Sequence, residues 1–334
     1  MRFGAWLFPP QPARRTLRSR LGESCAGGPR PREPQTCGFC LPHLQYPGLL
    51  YPRRDLIVSI GDLLQDISIV PESPLRPDDD TPATITVGGG GQAANFCAWT
   101  AAFGDDARLV TRVGDDETGR RLVADLEARG VDVRAVWAGE PTGSIAVLID
   151  ADGRRTMATH RGAAVGLSVA DLDESWFGDA RLLHVPAYSL FLEPIASATR
   201  AAIRAVRDAK GMLAVDLSSA AGLRAYGPSR MAYVLARLTP EVLFATEAEA
   251  QTLAVPLDGL AQVPVLKLGA AGCRVFGRTI PAPSVHAVDP TGAGDAFAAA
   301  FCSAWLRGAS PVEAAENGVN AASQSVVVAG ARPT

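Results

Sequence analysis

From Asp55 onward the chain repeats one unit: a short apolar run, a turn containing glycine, and an amphipathic helical segment. "DLIVSIGD" (55–62) reads as a buried strand entering a glycine turn, and "TPATITVGGGG" (81–91) as a second strand before a glycine cluster. "QAANFCAWTAAFG" (92–104) places Phe96, Trp99 and Phe103 on one helical face and closes at Gly104. "ARLVTRVGDD" (107–116) is a strand, and "ETGRRLVADLEARG" (117–130) is a capped amphipathic helix ending at Gly130. The pattern continues with strands at 180–188, 211–218, 241–246 and 263–269, helices at 193–210, 228–237 and 247–254, and a final helix from 295. Strands alternating with helices imply right-handed crossovers, hence an α/β fold: a three-layer α/β/α sandwich with a mostly parallel central sheet.

One stretch departs from this pattern. "TGSIAVLIDADGRRTMATHRG" (142–162) reads as two strands about an Asp-Gly turn at 152–153, a hairpin with no helix. With strands expected within 63–88 it forms a small separate β-sheet. In an open α/β fold ligands lie at the carboxyl ends of the strands, so such a sheet is placed to act as a lid.

The 334 residues suffice for one large domain, expected over 55–334, with a small appendage. No apolar run reaches the roughly 18 residues of a membrane-spanning helix. Residues 1–54 hold nine arginines and two glutamates, which leaves 23 basic against 33 acidic residues, a net charge of −10, in 55–334. An acidic domain is ill suited to nucleic-acid backbones. The extension is rich in Arg and Pro, lacks a hydrophobic period, and is expected to be disordered and without function. Its acid-poor composition superficially matches an organelle transit peptide, and upstream sequence beyond the true start is an equal explanation.

Of the six cysteines, Cys25, Cys37 and Cys40 fall in the extension, while Cys97, Cys273 and Cys302 lie in apolar segments as small buried thiols. "CGFC" (37–40) near His43 is a single C-x-x-C with no second pair, a poor basis for a zinc site. Reduced thiols fit a cytoplasmic protein. The only two lysines are Lys210 and Lys267, and neither follows a glycine, so no G-x-x-x-x-G-K-[ST] phosphate loop exists.

"DPTGAGDAFAAAF" (289–301) carries the chemistry. Gly292 and Gly294 permit a sharp turn that aims several N–H groups at one point, directly before a helix with Phe297, Phe301 and Trp305 on one face and Gly308 as its stop. The N-terminus of that helix favours an anion such as a phosphoryl group. Asp295 beside it is either a helix cap or a base. "GGQAAN" (90–95) brings Gly90, Gly91 and the Asn95 amide together, and "GDLLQD" supplies Asp62 and Asp66 at a strand end. Carboxylates and amides around glycines suit a polyol, whose hydroxyls both donate and accept. "KLGAAG" (267–272) follows a strand, and Gly269 and Gly272 permit a turn against an adenine or ribose.

In this order and spacing, "GGQAAN" with "AAFG", "TRVGDDETGRRLVADLEARGVDV" and "DPTGAGDAF" resemble the ribokinase-like, or PfkB, family of carbohydrate kinases over residues 55–334. The resemblance implies phosphoryl transfer from MgATP to a primary hydroxyl of a small sugar or sugar derivative. Gly292, Ala293 and Gly294 would form the anion hole, with Asp295 as base at its ordinary carboxylate pKa. Asp62, Asp66, Gly91 and Asn95 would hold the sugar, and Lys267, Gly269 and Gly272 would line the nucleotide site. Asp289 and Thr291, near Gly330, resemble the loop that binds a monovalent cation, K+, in many members. The family's Asn-x-x-Glu element falls at "TEAE": Glu249 matches as a water-mediated magnesium contact, whereas Thr246 replaces the usual Asn and implies weaker metal organisation. The lid sheet of related kinases often pairs between subunits, which implies a homodimer.

Two alternatives accompany this expectation. A nucleoside kinase of the same family would need an aromatic platform, which the lid segments 63–88 and 142–162 lack. A catalytically silent sugar- or nucleotide-sensing module is the other, motivated by Thr246. A dinucleotide-binding oxidoreductase fails on "GAGDAF", which has Phe where G-x-G-x-x-G needs its last glycine. Arg161 in "THRG", where the hairpin returns toward the crevice, either points to solvent or pairs with an acidic group on the acceptor.

Overall fold

The structure, a computed structural model, describes residues 55–333 apart from 151 and 153. The Arg/Pro-rich extension with its "CGFC" motif and His43 lies outside the described residues. The described residues belong to one compact unit, Tyr51–Thr334.

Nine strands, numbered along the chain, build the main sheet. Their spatial order is β13 (Arg278–Ile280), β12 (Cys273–Val275), β11 (Val263–Lys267), β10 (Val242–Thr246), β9 (Met212–Asp216), β8 (Leu182–Pro186), β1 (Leu56–Ile60), β4 (Asp106–Gly114) and β5 (Val131–Ala138). From β11 to β5 all neighbours run parallel, while β12 and β13 return as an antiparallel edge. After β1 the chain goes to β4 and β5 on one side, then crosses to β8 and steps outward on the other. Such a reversal opens a crevice at the carboxyl ends of the strands.

The strands are apolar on both faces because both are covered. Alternate residues such as Ile57, Leu182, Ala214 and Phe244 meet α1 (Gln92–Ala102), α2 (Glu117–Ala128), α8 (Ala293–Leu306) and α9 (Pro311–Ser325). Their neighbours Val58, Leu183, Val215 and Leu243 meet α3 (Tyr188–Phe191), α4 (Ile195–Asp208), α5 (Ala220–Tyr226), α6 (Pro228–Leu238) and α7 (Glu247–Leu253). The expected three-layer arrangement is therefore present. Among the described residues no helix is long and apolar enough to cross a membrane. Cys97, Cys273 and Cys302 are buried free thiols, as expected.

The lid is a four-stranded sheet in the order β3 (Ala83–Gly90), β2 (Leu64–Pro71), β6 (Thr142–Ile149) and β7 (Arg155–Gly162). Only β2 and β6 pair in parallel. Both expected strand pairs are found in this one sheet.

The C-terminal part differs from expectation. The helix expected from 295 begins at Ala293, and α9 follows it as a separate helix. α9 opens on a capping box of Ser310 and Glu313 with Pro311 in its first turn. The hairpin β12–β13 and strand β5 also went unread, because their short or mixed segments carry little periodic signal.

Phe244 ties the sheet to α8, with its ring edge-on to Phe301 and Phe297 at centroid separations of 5.3 and 6.1 Å. It is fully buried. Phe244→Ala is expected to lower stability by about 3–5 kcal/mol, read as a reduced urea midpoint at unchanged m. A midpoint within error of wild type would contradict this packing.

Candidate active site

The crevice collects polar side chains from strand ends that lie far apart in sequence. Gly292 caps α8 with φ 76°, and a Cβ there would collide with the Ala331 carbonyl, so glycine is required on two counts. The Ala293 N–H turns back to the Pro290 carbonyl at 3.4 Å. The N–H groups of Gly294 and Asp295, in the first turn, have no intrahelical acceptor. Of the expected 292–294 set only the Ala293 N–H has an acceptor among the described residues, which leaves the Gly292 and Gly294 donors free beside that of Asp295.

Asp295 is not the cap of its helix. Its Oδ2 instead accepts from Asn95 Nδ2 at 3.0 Å, across 200 residues of sequence. The Asn95 Oδ1 accepts from Arg332 Nε at 3.1 Å, which fixes the amide so that its N–H₂ faces Asp295. Arg332 also donates to the Gly90 carbonyl at 3.0 Å and to Asp125 at 2.8 Å, and its side chain is only 5% exposed. The Asp295 carboxyl is pushed up to about 7 by burial and by the charges of Asp216 and Asp66, against the lowering influence of Asn95 and Lys267. This corrects the expectation of an ordinary pKa: the crevice withdraws the carboxylate from water and sets it among other carboxylates.

Asp62 and Asp66 form the opposite wall. Asp62, 5% exposed, is ion-paired with Arg161 from the end of β7, and that guanidinium lies 3.8 Å from the Tyr188 ring centroid. Arg161 is therefore neither solvated nor free. Asp66 lies against Gly90, where a Cβ would collide with its carboxyl. Its buried Oδ1 has no hydrogen-bond partner among the described residues. Burial raises its pKa to about 6, with Arg332 opposing and Asp289 adding to the rise. Gly91, at φ 95°, starts α1 beside the Asp62 carbonyl.

On the other side Lys267 Nζ pairs with Asp216 Oδ2 at 2.6 Å, with side chains 12% and 1% exposed. Thr246 and Glu249 form a reciprocal capping box at the start of α7: the Glu249 carboxylate accepts from the Thr246 N–H at 2.7 Å. Glu249 is buried, and its pKa is raised by that burial and by Asp216, with Lys267 and the Thr246 contacts opposing. Among the described residues no group of three or more His, Cys, Asp or Glu is arranged to hold a metal. A cleft of about 430 Å³ runs from Lys267 and Gly294 past Gly269 and Gly272 to apolar walls including Val285 and Val319.

Asp289 and Thr291 do come together with Gly330. The Asp289 carboxylate accepts from the Thr291 N–H and hydroxyl at 2.9 and 2.6 Å and from the Gly330 N–H at 3.0 Å. Arg155 of the lid reaches the same carboxylate at 3.2 Å. A guanidinium thus already neutralises the group expected to serve a monovalent cation, and that expectation is left without support.

Sequence reasoning missed Asp216, Arg332 and Tyr188. Asp216 had a readable signal, a carboxylate ending an otherwise apolar buried strand. Arg332 had none, because only the folded chain brings it to Asn95.

A family model described as pfkB family carbohydrate kinase matches residues 54–334. The chain belongs to the pfkB family of carbohydrate kinases, phosphotransferases that act on an alcohol group. It is 31% identical over 273 residues to fructokinase-1 of Oryza sativa subsp. japonica, covering 75% of this chain and 82% of that one. It is 33% identical over 306 residues to the 2-dehydro-3-deoxygluconokinase of Thermoproteus tenax, covering 82% and 89%. The fold matches an adenosine kinase from Sinorhizobium meliloti with TM-score 0.75 at 24% identity, over 84% of this chain and 96% of that one. It also matches a putative ribokinase II from E. coli in complex with ATP and Mg2+, with TM-score 0.71 at 23% identity, over 83% and 94%.

The raised pKa has a consequence for stability. The folded state holds the Asp295 proton more tightly than the unfolded chain does. Stability from this group is therefore full below its ordinary 3.8 and is lost as pH rises toward about 7. Asp295→Asn removes the titration, so its melting temperature relative to wild type is expected to be higher at pH 8 than at pH 5. A difference that does not change with pH in scanning calorimetry would contradict the raised pKa of that carboxylate.

Proposed function

We propose that the chain transfers the γ-phosphoryl group of MgATP to a primary hydroxyl of a small neutral sugar, with Asp295 as the base. One observation carries this reading: the Asp295 carboxylate stands at the start of α8, beside the half-buried Lys267 and within reach of Asn95, while Asp66 faces the same crevice with an oxygen lacking a partner among the described residues. A sugar hydroxyl that donates to Asp66 satisfies that oxygen.

The nucleotide fits the cleft. Its apolar end suits a purine and its Lys267–Gly294 end suits phosphates. Magnesium supplies charge neutralisation when bound. With no protein cage it would ride on the phosphates, with Glu249 meeting it through water, in keeping with a cation that retains most of its hydration. Asp295 takes the proton of the attacking hydroxyl, and the N–H groups of Gly294 and Asp295 receive charge on the phosphoryl oxygens. The lid excludes water that would otherwise compete as acceptor. No step uses a monovalent cation.

The ion pair between Asp62 and Arg161 argues for a neutral acceptor. An acidic sugar would draw the guanidinium away and leave the buried Asp62 carboxylate unpaired, a costly exchange. A polyol donates hydroxyls to Asp62 with the pair intact. The Tyr188 ring is covered by the same guanidinium, which disfavours a stacked nucleoside base.

The test is ADP release with ATP across pentoses, hexoses, keto-deoxy acids and nucleosides, together with two variants. Asp295→Asn should lower kcat by about 10²–10⁴. Wild-type kcat/KM should rise with pH through about 7 as Asp295 ionises. Arg161→Ala should lower kcat/KM for neutral and acidic sugars alike. A loss of roughly 10–150-fold on acidic sugars alone would replace the neutral acceptor with an acidic one. Binding of sugar and nucleotide without turnover would make the protein a sensor.

The partner we infer is a second copy of this chain. Ile85 and Val87, 60% and 53% exposed, cross-pair with Ile69 and Ile67, which makes one apolar face on the lid. Ile85→Lys with Val87→Lys is expected to convert a sedimenting dimer to monomer. A wild-type monomer at micromolar concentration would overturn the pairing.

A further inference from the structure

The Lys267 ammonium holds a place that lining a nucleotide does not explain. Its Nζ is fixed at 2.6 Å from the Asp216 carboxylate, and Asp216 is 1% exposed at the end of β9. A Cβ placed on Gly294 would lie 3.4 Å from that nitrogen, so the ammonium stands beside the first turn of α8. Asp295 and Glu249 are the other carboxylates that act on it. Phe244 lies beneath, its centroid 5.9 Å from Nζ, and closes that side to water.

We propose that Lys267 is a catalytic residue of the phosphoryl transfer: a resident cation, held in position by Asp216, that donates a hydrogen bond to the transferring phosphoryl group. This rests on the phosphotransferase class and not on which sugar is used. As the acceptor oxygen forms its bond to phosphorus, its proton passes to Asp295. The bond from phosphorus to the ADP β-phosphate oxygen breaks, and its electron pair leaves with ADP. Lys267 stays protonated throughout and stabilises the charge on the phosphoryl oxygens as it passes from one partner to the other. Burial favours the neutral amine, but Asp216, Glu249 and Asp295 outweigh it and raise the pKa, which keeps the cation charged. The ammonium is thus a fixed positive charge beside the α8 N-terminus.

Two measurements test this. The double variant Lys267→Met with Asp216→Asn removes both charges of the pair, so Asp216 is not left as a buried carboxylate without its partner. It is expected to fold and to lose less affinity for ADP than for ADP–aluminium fluoride. Its kcat should fall by about 10²–10³, and it should lose the tighter binding of ADP–aluminium fluoride over ADP. Equal weakening of ADP and ADP–aluminium fluoride would reduce Lys267 to a nucleotide contact, and kcat within a few-fold of wild type would remove it from the chemistry. The second measurement uses the wild-type chain and is independent of variant folding. With Lys210 the only other lysine, ¹⁵N-lysine labelling leaves two ammonium signals to assign. The Lys267 signal should shift on adding ADP–aluminium fluoride and much less with ADP alone, and no shift would overturn the proposal. Wild-type protein that turns over no acceptor would overturn the kinase reading instead, while the spectrum still judges Lys267.

Discussion

The hydrogen bond from Asn95 to Asp295 joins the first helix of the fold to the eighth, and the rest of the crevice is arranged around it. A carboxylate at that depth is unfavourable unless donors face it. α1 supplies the amide, the chain near its last residues supplies Arg332 to hold the amide, and β11 supplies a lysine. Each arrives from a different part of the sequence, yet all bear on one carboxylate. The parallel sheet is what permits this arrangement: its carboxyl ends bring carboxylates and cations to one place while both faces remain apolar.

The charges there nearly balance in pairs. Asp62 answers Arg161, Asp216 answers Lys267, and Asp125 answers Arg332, while Asp295 and Asp66 are left with raised pKa values. Glu249 also has a raised pKa and no ion pair among the described residues, but its carboxylate is bonded in the α7 capping box. Asp295 and Asp66 are the two that the proposed chemistry uses, one as base and one as hydroxyl acceptor. Stability and function pull in opposite directions at this point. The interaction that tunes Asp295 for proton transfer near neutral pH also makes its ionised form a burden on the fold.

The alternation of strands and helices was legible because it comes from local periodicity and glycine punctuation. The two segments that meet in the crevice, Gly90 to Asn95 and Asp289 to Asp295, were legible because glycines and polar residues cluster there against an apolar background. Partnerships were not legible. Nothing in "THRG" tells that Arg161 turns to Asp62 and Tyr188, and nothing in "GARPT" tells that Arg332 reaches Asn95, since both depend on tertiary closure. The ordinary pKa expected for Asp295 failed for the same reason: a sequence carries the residue type, whereas the shift comes from its surroundings. α9 was a different kind of miss. Its Ser-Pro-x-Glu start signal was present in the sequence and went unused.

The lid is joined to the main sheet by both ends of one strand. β7 begins at Arg155, which meets Asp289 beside the anion-hole loop, and nearly ends at Arg161, which meets Asp62 beside the sugar wall. All four side chains are at most 22% exposed, so salt screens these pairs less than surface contacts. A strand held at both ends cannot move at one without loading the other. The Asp289 carboxylate has further ties to Thr291 and Gly330, so the Arg155 pair adds to a loop already held, whereas Asp62 has its ion pair from Arg161. On the proposed reading, one eight-residue strand thus contacts both the acceptor side and the phosphoryl side of the crevice, which would help align the acceptor with the donor.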